Sequence, residues 1–200
     1  MTGATFFSRF ARFAVLAACI ALAACDGRAV AWYGRDITGV MPDLAFSMQR
    51  ASDGKPVTAH DYTGKITLLY FGYTNCPDIC PTTLANLAET LRRLGPKAKQ
   101  VRALFVSVDP DRDTVPVLKA YANAFSPEMD GLRGTKNAIA SLARRYRVAF
   151  DVRPATADHP YEVMHSSAVF VFDRDGHVRL VTLKTDDTAA LAADIERLMN

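Results

Sequence analysis

The sequence predicts an α/β fold, with a central mixed sheet flanked by helices. Three continuous apolar runs are typical of buried strands, and the stretches between them repeat apolar residues at helical spacing. After the third run, a turn and a short strand predict a hairpin, and a last helix closes the chain. Strands that alternate with helices in this way build a sheet that is covered by helices.

The predicted elements follow one another in a regular order. A strand over residues 65–71 leads into a helix that carries Leu84, Leu87 and Leu91 on one face and ends at Gly95. A second apolar strand covers residues 101–108. The remaining predictions are an opening hairpin within residues 37–51, a turn at 53–55, helices at 118–125 and 139–146, a short strand at 148–152, a loop at 153–163, a third core strand at 167–172, a strand at 178–182 and a helix at 189–199.

Length and charge restrict the class of protein. A chain of 200 residues, half of them apolar, is long enough for one well-packed domain and too short for two. Its formal net charge is +3, and two of its 24 basic residues, Arg9 and Arg12, fall within the first 25 residues. No basic cluster alternates with aromatic residues, so the composition predicts no nucleic-acid partner.

The first 25 residues are typical of an export signal. Arg9 and Arg12 form a positive region, and an apolar stretch over residues 13–24 has the length of a secretory core. Leu22-Ala23-Ala24-Cys25 resembles the lipobox of bacterial lipoproteins, in which the cysteine is lipidated and becomes the mature N-terminus. Leu16-Ala17-Ala18-Cys19 also matches, but it leaves a shorter apolar core. We therefore expect lipid at Cys25.

These features divide the chain into a signal segment at residues 1–25, a linker at 26–35 and a folded domain at 36–200. The expected location is the periplasmic side of the bacterial inner membrane, with the domain tethered to the membrane by lipid on Cys25. Asp26 resembles an inner-membrane retention signal. An uncleaved membrane anchor and a plain secretory signal are the alternatives, and all three export the domain.

Cys76 and Cys80 lie on the predicted turn between the first core strand and its helix. Pro81 disfavours a helical backbone at the residue before it, which predicts Cys80 at the N-cap of the helix. Unsatisfied N–H groups and the helix dipole stabilise a thiolate there, so we expect a lowered pKa for Cys80. Pro77-Asp78 is typical of a turn, which allows both sulfurs to face the same point.

Two thiols in this arrangement have three possible roles: a structural disulfide, exchange with a partner's disulfide, or binding of a soft metal ion. Cysteines of exported proteins usually pair, which favours the first role. However, so short a loop adds little stability to a domain that already has an adequate core. The spacing alone leaves the three roles open.

The order of elements resembles a thioredoxin-like fold, whose site lies at the C-terminal ends of the sheet strands. Thioredoxin-type oxidoreductases carry Cys-x-x-Cys and a proline just before the strand that corresponds here to residues 169–172. In this chain the spacing is Cys-x-x-x-Cys, and Met164, His165 and Ser166 precede that strand. A peroxide-reducing enzyme of similar fold would carry a lone cysteine behind Pro-x-x-x-Thr, which this chain does not reproduce.

In that architecture, the turn before the third core strand faces the turn of Cys76 and Cys80, so His165 is able to reach both sulfurs. Two thiolates and one imidazole form a three-coordinate soft site, which suits Cu(I) and accepts Cu(II). Zinc normally takes a fourth ligand. The other three histidines lie in predicted loops or turns and are left out of the site: His60, His159 and His177. The alternative for His165 is a capping or surface role.

Three carboxylates, Asp109, Asp111 and Asp113, follow the second core strand and are candidates for a hard-metal site. They also lie between a strand and a helix, together with Thr114. Asp and Thr commonly serve as turn and capping groups at such positions. We therefore interpret the three carboxylates as structural groups.

Three motifs resemble those of the Sco/SenC family: residues 71–83 (FGYTNCPDICPTT), 106–114 (VSVDPDRDT) and 131–135 (GLRGT). The likeness extends over about residues 36–183. It implies a thioredoxin-like fold and copper, as Cu(I) or Cu(II), bound by Cys76, Cys80 and His165. Two positions depart from the family pattern, with Met164 where Asp is common and Asn75 where many members have His.

The resemblance implies a metallochaperone rather than an enzyme. Such a protein delivers copper to the binuclear copper site of cytochrome c oxidase during assembly. The expected partners are the copper-site subunit of the oxidase and an upstream copper donor or thioredoxin-like reductant. An alternative is a thiol–disulfide reductase that uses Cys76 and Cys80 to keep the oxidase cysteines reduced. A redox or copper sensor in signalling is a third interpretation.

Overall fold

The computed structural model describes residues 31–153, 155–156, 158 and 161–200, apart from the side chains of Glu162 and His165. The expected signal segment, with Cys25, lies outside the described residues, as does His159. Residues Trp32–Asn200 form one compact unit, so the expected linker overlaps this unit at its last residues. Among the described residues, no helix combines the length and the apolar character needed to cross a membrane.

The unit contains ten strands and four α-helices in its described part. The strands are β1 Arg35–Asp36, β2 Ser47–Arg50, β3 Pro56–Thr58, β4 Ile66–Gly72, β5 Val101–Ser107, β6 Met129–Arg133, β7 Phe150–Arg153, β8 Glu162–His165, β9 Val169–Phe172 and β10 Val178–Thr182. The helices are α1 Ile79–Arg93, α2 Val115–Phe125, α3 Lys136–Arg145 and α4 Thr188–Met199. Two 3₁₀ turns cover Ala59–Tyr62 and Gly95–Gln100.

Eight strands form one mixed sheet in the order β1-β10-β9-β4-β5-β6-β2-β3, and β7 and β8 form a separate antiparallel pair. Strands β4, β5 and β6 are parallel, whereas β9 is antiparallel to β4. Every residue of β4 is buried, as expected for a parallel strand with both faces covered. Helix α1 packs against α4, and α2 packs against β6. The predicted α/β fold with a mixed central sheet is therefore confirmed.

The structure corrects several predicted elements. The opening hairpin pairs β2 with β3 around the turn at Gly54, so the prediction of a hairpin within residues 37–51 was wrong. Strand β6 was not predicted, because Asp130, Gly131 and Arg133 interrupt its apolar pattern. The predicted loop at 153–163 is also too long, since β7 includes Arg153 and β8 begins at Glu162.

Three segments meet at one edge of the sheet. Gly72 at the end of β4 pairs with Ser107 at the end of β5, so the loops that follow these two strands start side by side. Strand β9 runs in the opposite direction, and its first residue, Val169, pairs with Tyr70 near the same end of β4. The topology therefore brings three segments together. They are the strand-to-helix turn over residues 73–80, which we call the cysteine loop, the segment 108–114, which we call the aspartate loop, and the entry to β9.

Candidate metal centre

The cysteine loop is a tight strand-to-helix turn. The N–H of Cys76 donates to the carbonyl of Tyr73 at 3.3 Å, and α1 begins at Ile79 with Asp78 as its N-cap. Cys80 therefore lies inside the first turn, and the prediction of Cys80 at the N-cap was wrong. Pro81 is accommodated because a proline in the first turn of a helix sacrifices no intrahelical hydrogen bond.

The two cysteines are close together and both are free thiols. The backbone N–H of Cys80 donates to Cys76 Sγ at 3.4 Å. Cys80 is fully buried, whereas Cys76 is partly exposed and packs at the border of the core. The pair thus presents one accessible and one enclosed sulfur.

Gly72 creates the space that the Cys80 sulfur occupies. A Cβ at this position would lie 2.7 Å from Cys80 Sγ and 2.6 Å from Cε2 of Phe105. Real carbon atoms do not approach so closely, so any larger residue would displace the sulfur or the aromatic ring. The glycine that ends β4 is therefore part of the thiol site.

The environments of the two sulfurs separate their pKa values. Burial raises the pKa of Cys80 to about 12, although the N–H of Tyr73 and the hydroxyl of Tyr70 favour its thiolate. For Cys76 burial also raises the pKa, but the N–H groups of Cys80 and Asp78 and the side chains of Cys80 and Tyr73 together lower it below its usual value. The predicted low pKa of Cys80 was wrong, and Cys76 has the lowered pKa instead.

Asp113 fixes the cysteine loop to the end of β5. Its carboxylate has no exposed surface and accepts three hydrogen bonds. The donors are the N–H of Thr74 at 3.1 Å, the hydroxyl of Thr74 at 2.6 Å and the hydroxyl of Ser107 at 2.6 Å. The N-cap of α2 is Thr114, so Asp113 is not a helix cap but a buried link to the loop of Cys76.

A second buried carboxylate, Asp109, links the aspartate loop to the segment that precedes β8. Its Oδ2 pairs with Nε of Arg112 at 2.5 Å, and its Oδ1 accepts the hydroxyl of Tyr161 at 2.8 Å. The guanidinium carbon of Arg112 lies 3.7 Å from the centre of the Tyr161 ring and 5.9 Å from that of Tyr73. We call Tyr73, Asp109, Arg112 and Tyr161 the Arg112 cluster.

The third sequence motif supports the aspartate loop. Arg133, at the end of β6, donates from Nη2 to the carbonyl of Pro110 at 2.8 Å and from Nε to the carbonyl of Asp113 at 3.2 Å. Asp111 points outward and pairs with Lys136 at 2.6 Å. The three aspartates therefore do not converge on one point, which agrees with their interpretation as structural groups.

His165 is the last residue of β8 and pairs with Phe150 of β7. Its imidazole lies outside the described part of the structure, so ligation by His165 stays a prediction. His60 and His177 are both exposed. His177 lies in a turn with Asp173 and Asp175, and one possible ligand atom from each of the three side chains lies within 4.8 Å of the other two. This turn follows β9, whereas the cysteines lie near the start of β9. The sequence analysis did not identify this group, nor the roles of Asp113 and Tyr161.

The two thiols fit a soft metal ion, because thiolate is the ligand that such ions prefer. A mixed sheet that carries a dithiol at the carboxyl end of an inner strand defines a thioredoxin-like thiol protein. Among families of this class, the SCO1/SenC family model matches residues 45–200. The chain belongs to the SCO1/SenC family.

Individual relatives agree with this assignment. The mitochondrial SCO2 homologue of Bos taurus is 42% identical over 118 residues, which are 58% of this chain and 44% of that protein. The structure titled ScoI of Bradyrhizobium japonicum with copper bound is 40% identical, with a TM-score of 0.70 over 78% of this chain and 98% of that one. The chain thus spans less than half the length of its bovine relative.

A more distant structure shares the fold alone. The structure of BsSco is described by the words "identification of a disulfide switch in BsSco, a member of the Sco family of cytochrome c oxidase assembly proteins". It is 24% identical to this chain, with a TM-score of 0.65 over 83% of this chain and 96% of that one. This chain and BsSco therefore share one fold.

Proposed function

We propose that this protein binds copper through Cys76, Cys80 and His165 and delivers it to the copper-site subunit of cytochrome c oxidase during assembly. The observation that carries the proposal is the pair of cysteines without a disulfide on the strand-to-helix turn, where the N–H of Cys80 donates to Cys76 Sγ. The ScoI structure from Bradyrhizobium japonicum has copper bound, and the match to this chain covers 98% of it. This similarity supports copper as the cargo. Delivery to the oxidase is our proposal for this chain, supported by its membership of the SCO1/SenC family and by the description of BsSco as a member of a family of cytochrome c oxidase assembly proteins.

The partly exposed position of Cys76 suits a site that must release its metal. A sulfur from a partner can approach the copper ion from the side of Cys76, while Cys80 holds the ion from within the fold. Ligand exchange of this kind transfers a soft ion without leaving it free in solution. The buried and the exposed thiol therefore divide retention and transfer between them.

The proposed location is the periplasmic side of the bacterial inner membrane, with lipid on Cys25. Support comes from the positive residues, the apolar stretch and the lipobox within residues 1–25. Mass spectrometry of the mature N-terminus tests this part. A diacylglycerol adduct on Cys25 is the expected result, whereas an N-terminus at any other residue would refute lipidation there.

Copper binding is tested on the reduced protein in two experiments. Cu(I) affinity is measured by competition with a chromophoric chelator, and Cu(II) binding is measured after addition of one equivalent of Cu(II). We expect one copper ion per chain and a strong sulfur-to-copper(II) charge-transfer band. Loss of this band in His165→Ala would support the imidazole as a ligand. Because His60 and His177 are exposed and apart from the thiols, His60→Ala and His177→Ala serve as matched controls that should bind like the wild type.

Two results would contradict the proposed function. The first is copper binding by wild type no tighter than by the variant that combines Cys76→Ser and Cys80→Ser. The second concerns transfer. The copper-loaded protein should build the binuclear centre in a metal-free copper-site domain of the oxidase, and the electronic spectrum of that domain monitors its formation. Absence of transfer to the reduced domain would exclude delivery to this partner.

A second candidate is a thiol–disulfide reductase for the cysteines of the oxidase copper site. The observation that favours it is the accessible thiol of lowered pKa beside a buried thiol of raised pKa. Cys76 would attack the partner disulfide, and Cys80 would then displace the reduced partner and leave a Cys76–Cys80 disulfide. A thioredoxin-like reductant would return the pair to its thiol form.

The two candidates differ in their need for the imidazole. Disulfide exchange requires Cys76 and Cys80 alone, so His165→Ala should retain exchange with a disulfide peptide at the wild-type rate. If His165→Ala lost this exchange together with its copper binding, the reductase would be refuted. The two activities are otherwise compatible in one protein.

A further inference from the structure

The two proposed halves of the copper site are attached to the fold in different ways. Cys76 and Cys80 follow β4 at the centre of the eight-stranded sheet. His165 belongs to β8, which among the described strands pairs with β7 alone and lies outside that sheet. Four-residue strands in an isolated pair have little intrinsic stability, so other contacts must hold β8 in place.

The C-terminal end of β8 is held by backbone contacts. The N–H of Ser166 donates to the carbonyl of Ala149 at 3.2 Å, and Val169 three residues later enters the main sheet. Within the strand, Val163 is 8% exposed and belongs to the core. These contacts attach the interior and the exit of β8 to the core, whereas its first residue, Glu162, pairs with Arg153 at the end of β7.

The N-terminal end of β8 is held by Tyr161 through side-chain contacts. Its hydroxyl donates to the buried carboxylate of Asp109 at 2.8 Å, and its ring lies 3.7 Å from the guanidinium carbon of Arg112. A hydrogen bond to a charged acceptor and a cation–π contact are each among the stronger side-chain interactions. Tyr161 therefore fixes the start of the strand that ends at His165.

Arg112 connects this anchor to the cysteine loop. Its guanidinium pairs with Asp109, whose carboxylate is 1% exposed, so the arginine is held in one orientation. The same group lies 5.9 Å from the ring of Tyr73, three residues before Cys76. A single side chain thus contacts the segments that lead to both halves of the site.

We propose that Arg112 and Tyr161 are positioning residues that hold the His165 strand against the cysteine loop and so determine the imidazole-dependent part of copper affinity. This inference rests on the proposed function for its copper ligands. The restraint of residues 161–165 does not require copper, so it can be measured in the metal-free protein. Binding of Cu(II) should depend on this restraint more than binding of Cu(I), because two thiolates alone are good ligands for Cu(I).

Three variants separate the contributions of the cluster. Tyr161→Leu removes the ring and the hydroxyl, Tyr161→Phe removes the hydroxyl alone, and Arg112→Lys keeps the charge beside Asp109 but loses the planar stack. Trp32→Leu is the matched control, since the guanidinium carbon of Arg197 lies 3.7 Å from the Trp32 ring in an equivalent contact. All variants are made in the full chain.

The first measurement is amide hydrogen exchange in the metal-free protein. Tyr161→Leu should speed exchange at residues 161–165 by about tenfold, with smaller increases in Tyr161→Phe and Arg112→Lys. Trp32→Leu should leave these amides unchanged. Wild-type exchange at 161–165 in Tyr161→Phe and Arg112→Lys would overturn the proposal, even if Tyr161→Leu failed to fold.

The second measurement is copper binding by the same variants. Loss of the restraint should lower Cu(II) affinity by about tenfold and weaken the nitrogen hyperfine coupling of the copper spectrum, while Cu(I) affinity changes less. Unchanged Cu(II) affinity despite faster exchange, or an equal loss in Trp32→Leu, would overturn the proposal. Failure of the proposed function is recognised separately, because His165→Ala would then bind Cu(II) as tightly as wild type.

Discussion

The cysteine loop and the β8 segment show two different ways of presenting a metal-binding side chain. The loop continues directly from a fully buried strand, and the buried carboxylate of Asp113 fixes it through three hydrogen bonds. Strand β8 lies outside the main sheet, and the side chains of Arg112 and Tyr161 hold its start. The comparison indicates that the two thiols are built into the core, whereas the third proposed ligand is carried by a separately attached strand.

The largest expected effect comes from breaking the link between the cysteine loop and β5. Asp113→Ala removes a buried acceptor of three hydrogen bonds, one from buried Ser107 and two from half-buried Thr74, which should lower the free energy of unfolding by about 3–5 kcal/mol. Urea unfolding followed by circular dichroism measures this change. A loss close to zero would show that the loop does not depend on its buried carboxylate.

Asp111→Ala is the matched control for that substitution. Asp111 lies two residues away on the same loop, but its side chain is 66% exposed and pairs with Lys136. Exposed pairs of this kind contribute about 0–1 kcal/mol. Equal losses in the two variants would mean that burial of Asp113 has no special role.

An intermediate effect is expected when the space beneath Cys80 is filled. Gly72→Ala places a methyl group against Cys80 Sγ and Phe105, and such overpacking costs about 1–3 kcal/mol. The displaced sulfur should also weaken Cu(I) binding, measured by chelator competition. Gly131→Ala creates a milder crowding away from the thiols, with the new Cβ 3.1 Å from Cβ and the carbonyl oxygen of Leu118, so any loss of stability should come without weaker Cu(I) binding.

The smallest expected effect concerns the pH at which each thiol reacts. The lowered pKa of Cys76 predicts alkylation by iodoacetamide with a midpoint below 9.0, the ordinary value for a thiol. Cys80 should stay unreactive until the pH approaches its raised pKa of about 12. Peptide fragmentation by mass spectrometry locates the label, and labelling of Cys80 before Cys76 would refute this order.

The raised pKa of Cys80 also links stability to pH. An unfolded Cys80 ionises near its ordinary value of 9.0, whereas the folded thiol stays protonated to about pH 12. The contribution of this group to stability is therefore complete below pH 9 and declines as the pH rises through that interval. Cys80→Ala should reduce the fall in stability across the same range.

Apolar patterning was sufficient to predict the centre of the fold. Strands β4, β5 and β9 are continuous apolar runs, because both of their faces are covered, and the sequence analysis placed each of them within two residues of its observed ends. Strand β6 escaped prediction because Gly131, which is needed for the close approach of α2, breaks its pattern. Strand β8 was missed because its charged end resembles the loop before it.

Motif spacing located the two cysteines but not their electrostatics. Pro81 correctly indicated a helix start, but the depth of Cys80 depends on Gly72, whose missing side chain leaves room for the sulfur. The hydrogen-bonding roles of Asp113 and Tyr161 were not predicted for a similar reason, although Asp113 was recognised as a structural group. Their partners lie 39 and 52 positions away in the chain, and no local pattern reveals such pairing.

The distance along the chain between the cysteines and β8 has a consequence for biogenesis. Cys76 and Cys80 are near neighbours in sequence, and contacts between near neighbours form early because little chain entropy is lost. Strand β8 lies far along the chain from the cysteines, beyond β5 and β6, so its approach to the cysteine loop requires the closure of a long loop. Under the proposed function, a chain that meets Cu(I) before folding is complete would hold it by sulfur alone, and the proposed imidazole ligand would join only when β8 is in place.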